Sequence, residues 1–203
     1  MNAYKATRTN DFDFRNHSHP AWQQAIEAEL VPNTAGKDIV PRTSFVLLSS
    51  DMHLYFKITA EDENPRSTMT GYNQPLYNEE VVELFISWDG RHERYYEYEA
   101  NHLGAVFSAY IDHSAAGNKI NFISAQNNPT ETYVSTNSGG FVVSGRVQMP
   151  LGDAPPNGKI ADGAIFNVYR IKRTDNGDMM LAAFSPTGKD NFHMPEKFAK
   201  IEL

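Results

Sequence analysis

The chain's 203 residues suit one domain, and a chain of this size buries about 70% of the surface its unfolded form exposes, so the core needs no covalent staple. With 40% hydrophobic, 12% aromatic and 21% charged residues, composition is ordinary for a globular protein. A net charge of −7, with the 18 basic residues scattered, excludes a nucleic-acid partner, which requires clustered Lys and Arg, and the absence of cysteine excludes disulfides, thiolate metal sites and a cysteine nucleophile.

From the N-terminus, Met1 to Asp13 carries no apolar stretch of the kind a leader requires, which predicts a cytoplasmic protein. No window approaches 18 apolar residues, so no membrane span is expected. Residues 1–40 read as an extension with one short helix, because Pro20 introduces AWQQAIEAEL, where Trp22, Ile26 and Leu30 recur at helical spacing.

Beyond the extension the period switches to two. Strands are predicted over Phe45–Ser49, His53–Ala60, Val81–Trp88, Tyr95–His102, Gly104–Asp112, Tyr133–Asn137, Gly140–Met149, Ala164–Thr174, Met179–Phe184 and Phe198–Leu203. Turn signals punctuate them at Asp89-Gly90, Gly139-Gly140, Pro155-Pro156-Asn157-Gly158 and Asn176-Gly177. Asp175 to Asp178 is the clearest hairpin. About ten short strands with almost no helix predict an all-β fold, an antiparallel β-sandwich of immunoglobulin-like or jelly-roll type, in one domain spanning 1–203. The polar stretch from Glu61 to Gln74 reads as a long loop.

The chemistry lies in two consecutive strands, VVELFISW and YYEYEANH. Alternation puts Val82, Leu84 and Ile86 on one face of the first and Glu83 with Phe85 on the other. In the second, Tyr95, Glu97, Glu99 and Asn101 share a face. If the strands are neighbours, three carboxyls and an amide meet, with Tyr77 bordering them. Such groups make paired hydrogen bonds to vicinal hydroxyls, and an aromatic ring covers the apolar face of a pyranose. The plainer interpretation is a half-buried sheet with Glu and Tyr on its solvated side. Two like charges on one strand need an offset, and Arg170, in the largely apolar run FNVYRI, is the cation this reading assigns.

The order LYNEEVVELFISWDG, YYEYEANHLGAVFSAYID, GFVVSGRVQMPL, FNVYRI and finally FSP with NFHMPEKFAKIEL resembles family 9 carbohydrate-binding modules and their DOMON-like relatives, over residues from about 40 to 203. The resemblance implies a β-sandwich that binds the end of a glucan- or xylan-type mono- or oligosaccharide without catalysis, between two aromatic walls. Carried onto this chain, it makes Tyr77 one wall, Glu83 a hydroxyl acceptor, Glu99 and Asn101 polar contacts, and Phe184 the second wall. Tyr77 and Phe184 stand where relatives carry Trp. The predicted site is therefore Tyr77, Glu83, Tyr95, Glu97, Glu99, Asn101, Arg170 and Phe184. No cofactor is required by this reading. The resemblance also implies a structural calcium in some members, for which Glu61, Asp62, Glu63 and Asn64 offer oxygens. A haem held by His193 and Met194 is not expected, since adjacent residues cannot both be axial ligands. Two alternatives stay open: a glycoside hydrolase using a pair among Glu83, Glu97 and Glu99, and a sandwich that has lost sugar binding.

Overall fold

In the computed structural model, which describes residues 2–37, 41–113, 119–150 and 161–203, the alternating segments form two facing sheets. In chain order the elements are β1 (Ala3–Lys5), β2 (Thr7–Arg8), helix α1 (Pro20–Gln23), β3 (Ala28–Glu29), β4 (Val31–Pro32), β5 (Thr43–Ser49), β6 (His53–Glu61), β7 (Val81–Ser87), β8 (Arg94–Ala100), β9 (Val106–Asp112), β10 (Lys119–Phe122), β11 (Thr130–Asn137), β12 (Gly140–Gln148), β13 (Ile165–Arg173), β14 (Met179–Ala183) and β15 (Ala199–Glu202). The first sheet runs β1-β15-β13-β7-β8-β9-β10, with β14 and β4 continuing from β13; the second runs β11-β12-β6-β5-β2, with β3 on β5. The all-β expectation is met. The turn expected at Pro155-Pro156-Asn157-Gly158 lies outside the described residues.

Between the sheets lies one apolar layer. Val82, Leu84 and Ile86 of β7 and Phe166 and Val168 of β13 meet Phe45, Leu47, Phe56, Ile58, Phe141 and Val143 from the second sheet, as alternation dictates. Each large side chain so buried contributes roughly 1.5–3 kcal/mol. The hairpin at Asp175–Asp178 closes β13 onto β14 in register, Arg173 opposite Met179. Gly177 adopts φ +86° there, a left-handed conformation that glycine takes without a Cβ clash.

Two further layers cover the outer faces. On the first sheet, Phe85, Tyr95, Phe107, Tyr169 and Ile171 are capped by Leu76, Phe192 and Phe198 from the loops at 62–78 and 185–198. On the second, Val46, Leu48 and Tyr55 are capped by Phe14, Ala21 and Trp22. Neither outer face is the open, solvated sheet surface that alternating Glu and Tyr suggested.

The N-terminal extension differs most from its prediction. The helix stops after four residues at Gln23, and Ile26 is half exposed. Ala28 and Glu29 instead pair with Phe45 and Ser44 of β5, so an available strand edge overrides a helical pattern too short to hold by itself. β1 runs parallel to β15 and β2 parallel to β5, which makes the extension part of both sheets.

Candidate functional site

The strands β7 and β8 are antiparallel neighbours, and their register sets Glu83 directly opposite Glu99 and Phe85 opposite Glu97. Directly opposed residues have Cβ atoms about 4.5–5.5 Å apart. All three glutamates project from the outer face of the first sheet, beneath the covering loops, at 2%, 4% and 1% exposure for Glu83, Glu97 and Glu99. Alternation thus delivers the expected convergence of carboxyls.

Glu83 and Glu97, with Phe85, form the floor of a pocket of about 390 Å³, within the range of small-molecule sites. One wall is Tyr77 and Asn78, from a 3-10 turn at Leu76–Asn78. Tyr77 is 41% exposed and its ring rests edge-on against Phe107, with centroids 5.7 Å apart. The opposite wall is Ile171 and Leu181 from β13 and β14 and the segment Asp190 to His193. Phe192 is fixed there by stacking on Tyr169 at 4.0 Å, while the Tyr169 hydroxyl donates to the Phe192 carbonyl at 3.1 Å.

The electrostatics of the floor are unusual. Burial pushes Glu83 well above the ordinary carboxyl value, and the neighbouring Glu97 adds to it. Burial also raises Glu97 to about 7, with the adjacent Glu99 partly offsetting the rise. Glu99 is raised by burial first and by Glu83 and Glu97 next. The contact between Glu97 and Glu99 is electrostatic rather than a well-formed hydrogen bond, since neither oxygen of Glu99 has a partner of good geometry. The charges acting on the three groups are each other's, so all are driven toward the neutral acid.

Several predicted residues sit elsewhere. Tyr95 lies behind the pocket wall, stacked on Phe85 with centroids 5.7 Å apart and its hydroxyl 2.8 Å from His193 Nδ1. Asn101 is fully buried and anchors loops: its amide donates to the Met69 carbonyl at 2.8 Å, and its Oδ1 accepts from the Leu103 and Ala105 amides. Arg170 and Phe184 belong to the inner side of the first sheet. Phe184 stacks on Phe166 at 5.6 Å and meets Phe45 edge-on; the second aromatic wall of the pocket is Phe192 instead. Arg170 is opposite Val82 in register, so its side chain shares the core-facing side, away from Glu83.

There Arg170 is 1% exposed, donating to Thr43 Oγ1 at 2.9 Å, the Glu61 carbonyl at 3.0 Å and Asp62 Oδ2 at 2.7 Å. Burial lowers its basicity although Asp62 and Glu80 act against that. Lys172 Nζ completes the cluster, donating to Asp62 Oδ1 at 2.9 Å, Glu80 Oε1 at 2.9 Å and the Asn64 carbonyl at 3.2 Å. This network tests the calcium reading. The carboxylates of Asp62 and Glu80 and the Asn64 carbonyl do form an oxygen cage, but the Lys172 ammonium already sits in it and both Asp62 oxygens are taken. The residues present do not fit a calcium ion there. Among the described residues, no group of three or more His, Asp or Glu is arranged to hold a metal.

The residues that sequence reasoning missed are Phe192, His193 and Ile171. Phe192 and His193 lie in a segment without strand periodicity, between the strands expected over Met179–Phe184 and Phe198–Leu203.

Solved structures share the architecture. A carbohydrate-binding protein of Bacteroides uniformis, described as putative, matches with a TM-score of 0.78 and 16% identity over 98% of each chain. A family 9 carbohydrate-binding module of Caldicellulosiruptor kristjanssonii in complex with cellotriose matches with a TM-score of 0.71 and 13% identity, over 99% of this chain and 93% of that one. The same kind of module in complex with glucose gives 0.70 and 13%, covering 99% and 95%. At such identities the likeness speaks for the fold. No curated protein matches the sequence significantly. The profile of the carbohydrate family 9 binding domain-like proteins matches residues 17–203, spanning every strand from β3 to β15 and the whole glutamate pocket, so the chain belongs to the carbohydrate family 9 binding domain-like family.

Proposed function

We propose that this protein binds the end of a mono- or oligosaccharide, without cleaving it, in the pocket floored by Glu83 and Glu97. The observation that carries the reading is the pairing of hydroxyl-recognising groups with ring faces: two carboxyls in the floor, Tyr77 on one wall and Phe192 on the other. A carboxyl held near its neutral form both donates and accepts, which suits a sugar hydroxyl that does the same. Exposed Tyr77 offers a flat apolar face with a polar tip. Family membership supports the reading, as do the relatives whose structures hold glucose and cellotriose.

Hydrolysis is the weaker interpretation. It needs one carboxyl kept as an acid and another kept ionised, so their environments must drive them apart. Here burial drives all three glutamates the same way, and Glu99, the register partner of Glu83, does not line the pocket. The test is calorimetry against glucose, cellobiose, cellotriose and xylo-oligosaccharides. At least one should bind, and Glu83→Ala should weaken binding by roughly tenfold or more, as expected when a sugar hydroxyl loses its hydrogen-bond partner in the floor, with its circular dichroism unchanged. Binding that survives Glu83→Ala intact would remove this pocket as the site; release of reducing ends would restore the hydrolase.

A further inference from the structure

The floor of the pocket holds acids with no cation of their own. Glu83 lines the cavity at 2% exposure and takes part in no hydrogen bond or ion pair among the described residues. Glu99, behind it, has both oxygens unpartnered. The bases nearby are committed elsewhere. Arg173 lines the same pocket and keeps its charge, but its guanidinium turns to the carbonyls of Asn78 at 2.8 Å and Gly177 at 3.3 Å, and it is not among the groups acting on Glu83 or Glu97. Lys37 is paired with Asp190 at 2.9 Å. The His193 ring is bound through Nδ1 to Tyr95, and burial together with His113 holds it neutral, at about 4. The titratable groups next nearest, Tyr95 and Tyr169 packed behind the lining residues and Glu196, supply no positive charge. A buried carboxyl without a partner is costly to ionise, and a ligand that brings a positive charge into the pocket removes that cost.

We propose that the pocket selects a saccharide bearing a protonated amine, of the 2-amino-2-deoxy sugar class, over the neutral sugar of the same shape. The proposal rests on the saccharide reading above and adds the charge of the ligand to it. An ammonium over Glu83 and Glu97 supplies the cation the floor lacks and makes charge-assisted hydrogen bonds in place of neutral ones. On binding, one carboxylic acid of the floor gives its proton to solvent and becomes the carboxylate partner of the ammonium. No other bond changes. An N-acetylated sugar keeps the shape but has no charge, and it gains nothing from the acids.

The experiment is titration calorimetry of the full chain, near pH 6, with cellobiose, its β-1,4-linked glucosamine counterpart and the N-acetylated form, each in two buffers of different ionisation enthalpy. The expected result is at least tenfold tighter binding of the amine-bearing disaccharide, with heat that changes with the buffer as about one proton leaves per binding event. Glu83→Gln and, separately, Glu97→Gln should shrink both the preference and the proton release. Equal affinity for the neutral and amine-bearing sugars overturns the inference and leaves the saccharide reading standing. A preference without proton release also overturns it, because the acids would then not be responding. Failure of every sugar to bind defeats the saccharide reading itself.

Discussion

Glu99 carries the clearest consequence at the residue scale. A carboxyl whose folded-state value is raised is more protonated in the folded chain than in the unfolded one, so the folded state loses ground as pH rises from the unfolded value, near 4.5, through the raised one. For Glu97 that window runs from about 4.5 to about 7, and burial shifts Glu83 and Glu99 in the same direction. His193 works the other way: its value is depressed to about 4, so its contribution is present above about 6.5 and lost as pH falls toward 4. Above pH 7 the histidine has finished titrating and the acids act alone. Glu99→Gln, which keeps the shape and removes the ionisation, should therefore be more stable than the parent at pH 8–9, by on the order of 1–3 kcal/mol. The two should converge near pH 5. Urea denaturation of both proteins at pH 5 and at pH 8 measures this, and a Glu99→Gln variant no more stable than the parent at pH 8 contradicts it. The placement of these glutamates was legible because parity along a strand is a local property. Arg170 shows the same rule misapplied: in FNVYRI it shares parity with Phe166 and Val168, the core-facing residues, so its inward direction was readable and its pairing with the outer glutamates was not available to it.

At the scale of elements, close packing of strand on strand leaves less freedom than the pattern of residues reveals. Gly145 in the middle of β12 looks like a weak point in a strand. In the fold it is hemmed in by the strands on either side of it in the second sheet: a Cβ there would lie 2.5 Å from the Glu131 carbonyl oxygen on β11 and 2.5 Å from Phe56 Cζ on β6. Backbone on one side and a core ring on the other leave no room to yield. Gly145→Ala is expected to cost about 1–3 kcal/mol or more through overpacking, read from the midpoint of chemical denaturation. An unchanged midpoint would mean that β11 and β6 can part without penalty. No sequence pattern announces this, because it depends on which strands lie either side of β12. The short strands β1 to β4 and the covering loop that brings Phe192 to the pocket are decided in the same way, by partners elsewhere in the chain. The hairpin at Asp175–Asp178 was legible for the opposite reason: its turn chemistry and both strands are contiguous in the chain.

Across the whole molecule, the N-terminal extension separates stability from the site. β1 adds to the edge of the first sheet beside β15, and β2 adds to the second beside β5, so a few residues fasten both sheets before the sandwich proper begins. Between them and β3 the chain lies over the outer face of the second sheet. Phe14 is buried there at 1% exposure, with the guanidinium groups of Arg15 and Arg146 4.8 and 5.8 Å from its ring centre. Phe12 stacks on Tyr55 at 4.5 Å, and His17 Nε2 reaches Ser144 Oγ at 2.8 Å. The glutamate pocket opens on the outer face of the other sheet, with the full thickness of the core between. Truncating Phe14 to alanine therefore removes packing without approaching the ligand, and the expected loss is about 3–5 kcal/mol. Sites so far apart, sharing no partners, are additive in their effects, so sugar affinity measured well below the melting transition should match that of the parent. A fall in affinity alongside the fall in melting temperature would mean that the two outer faces are coupled through the core, and that the extension tunes the pocket as well as closing the fold.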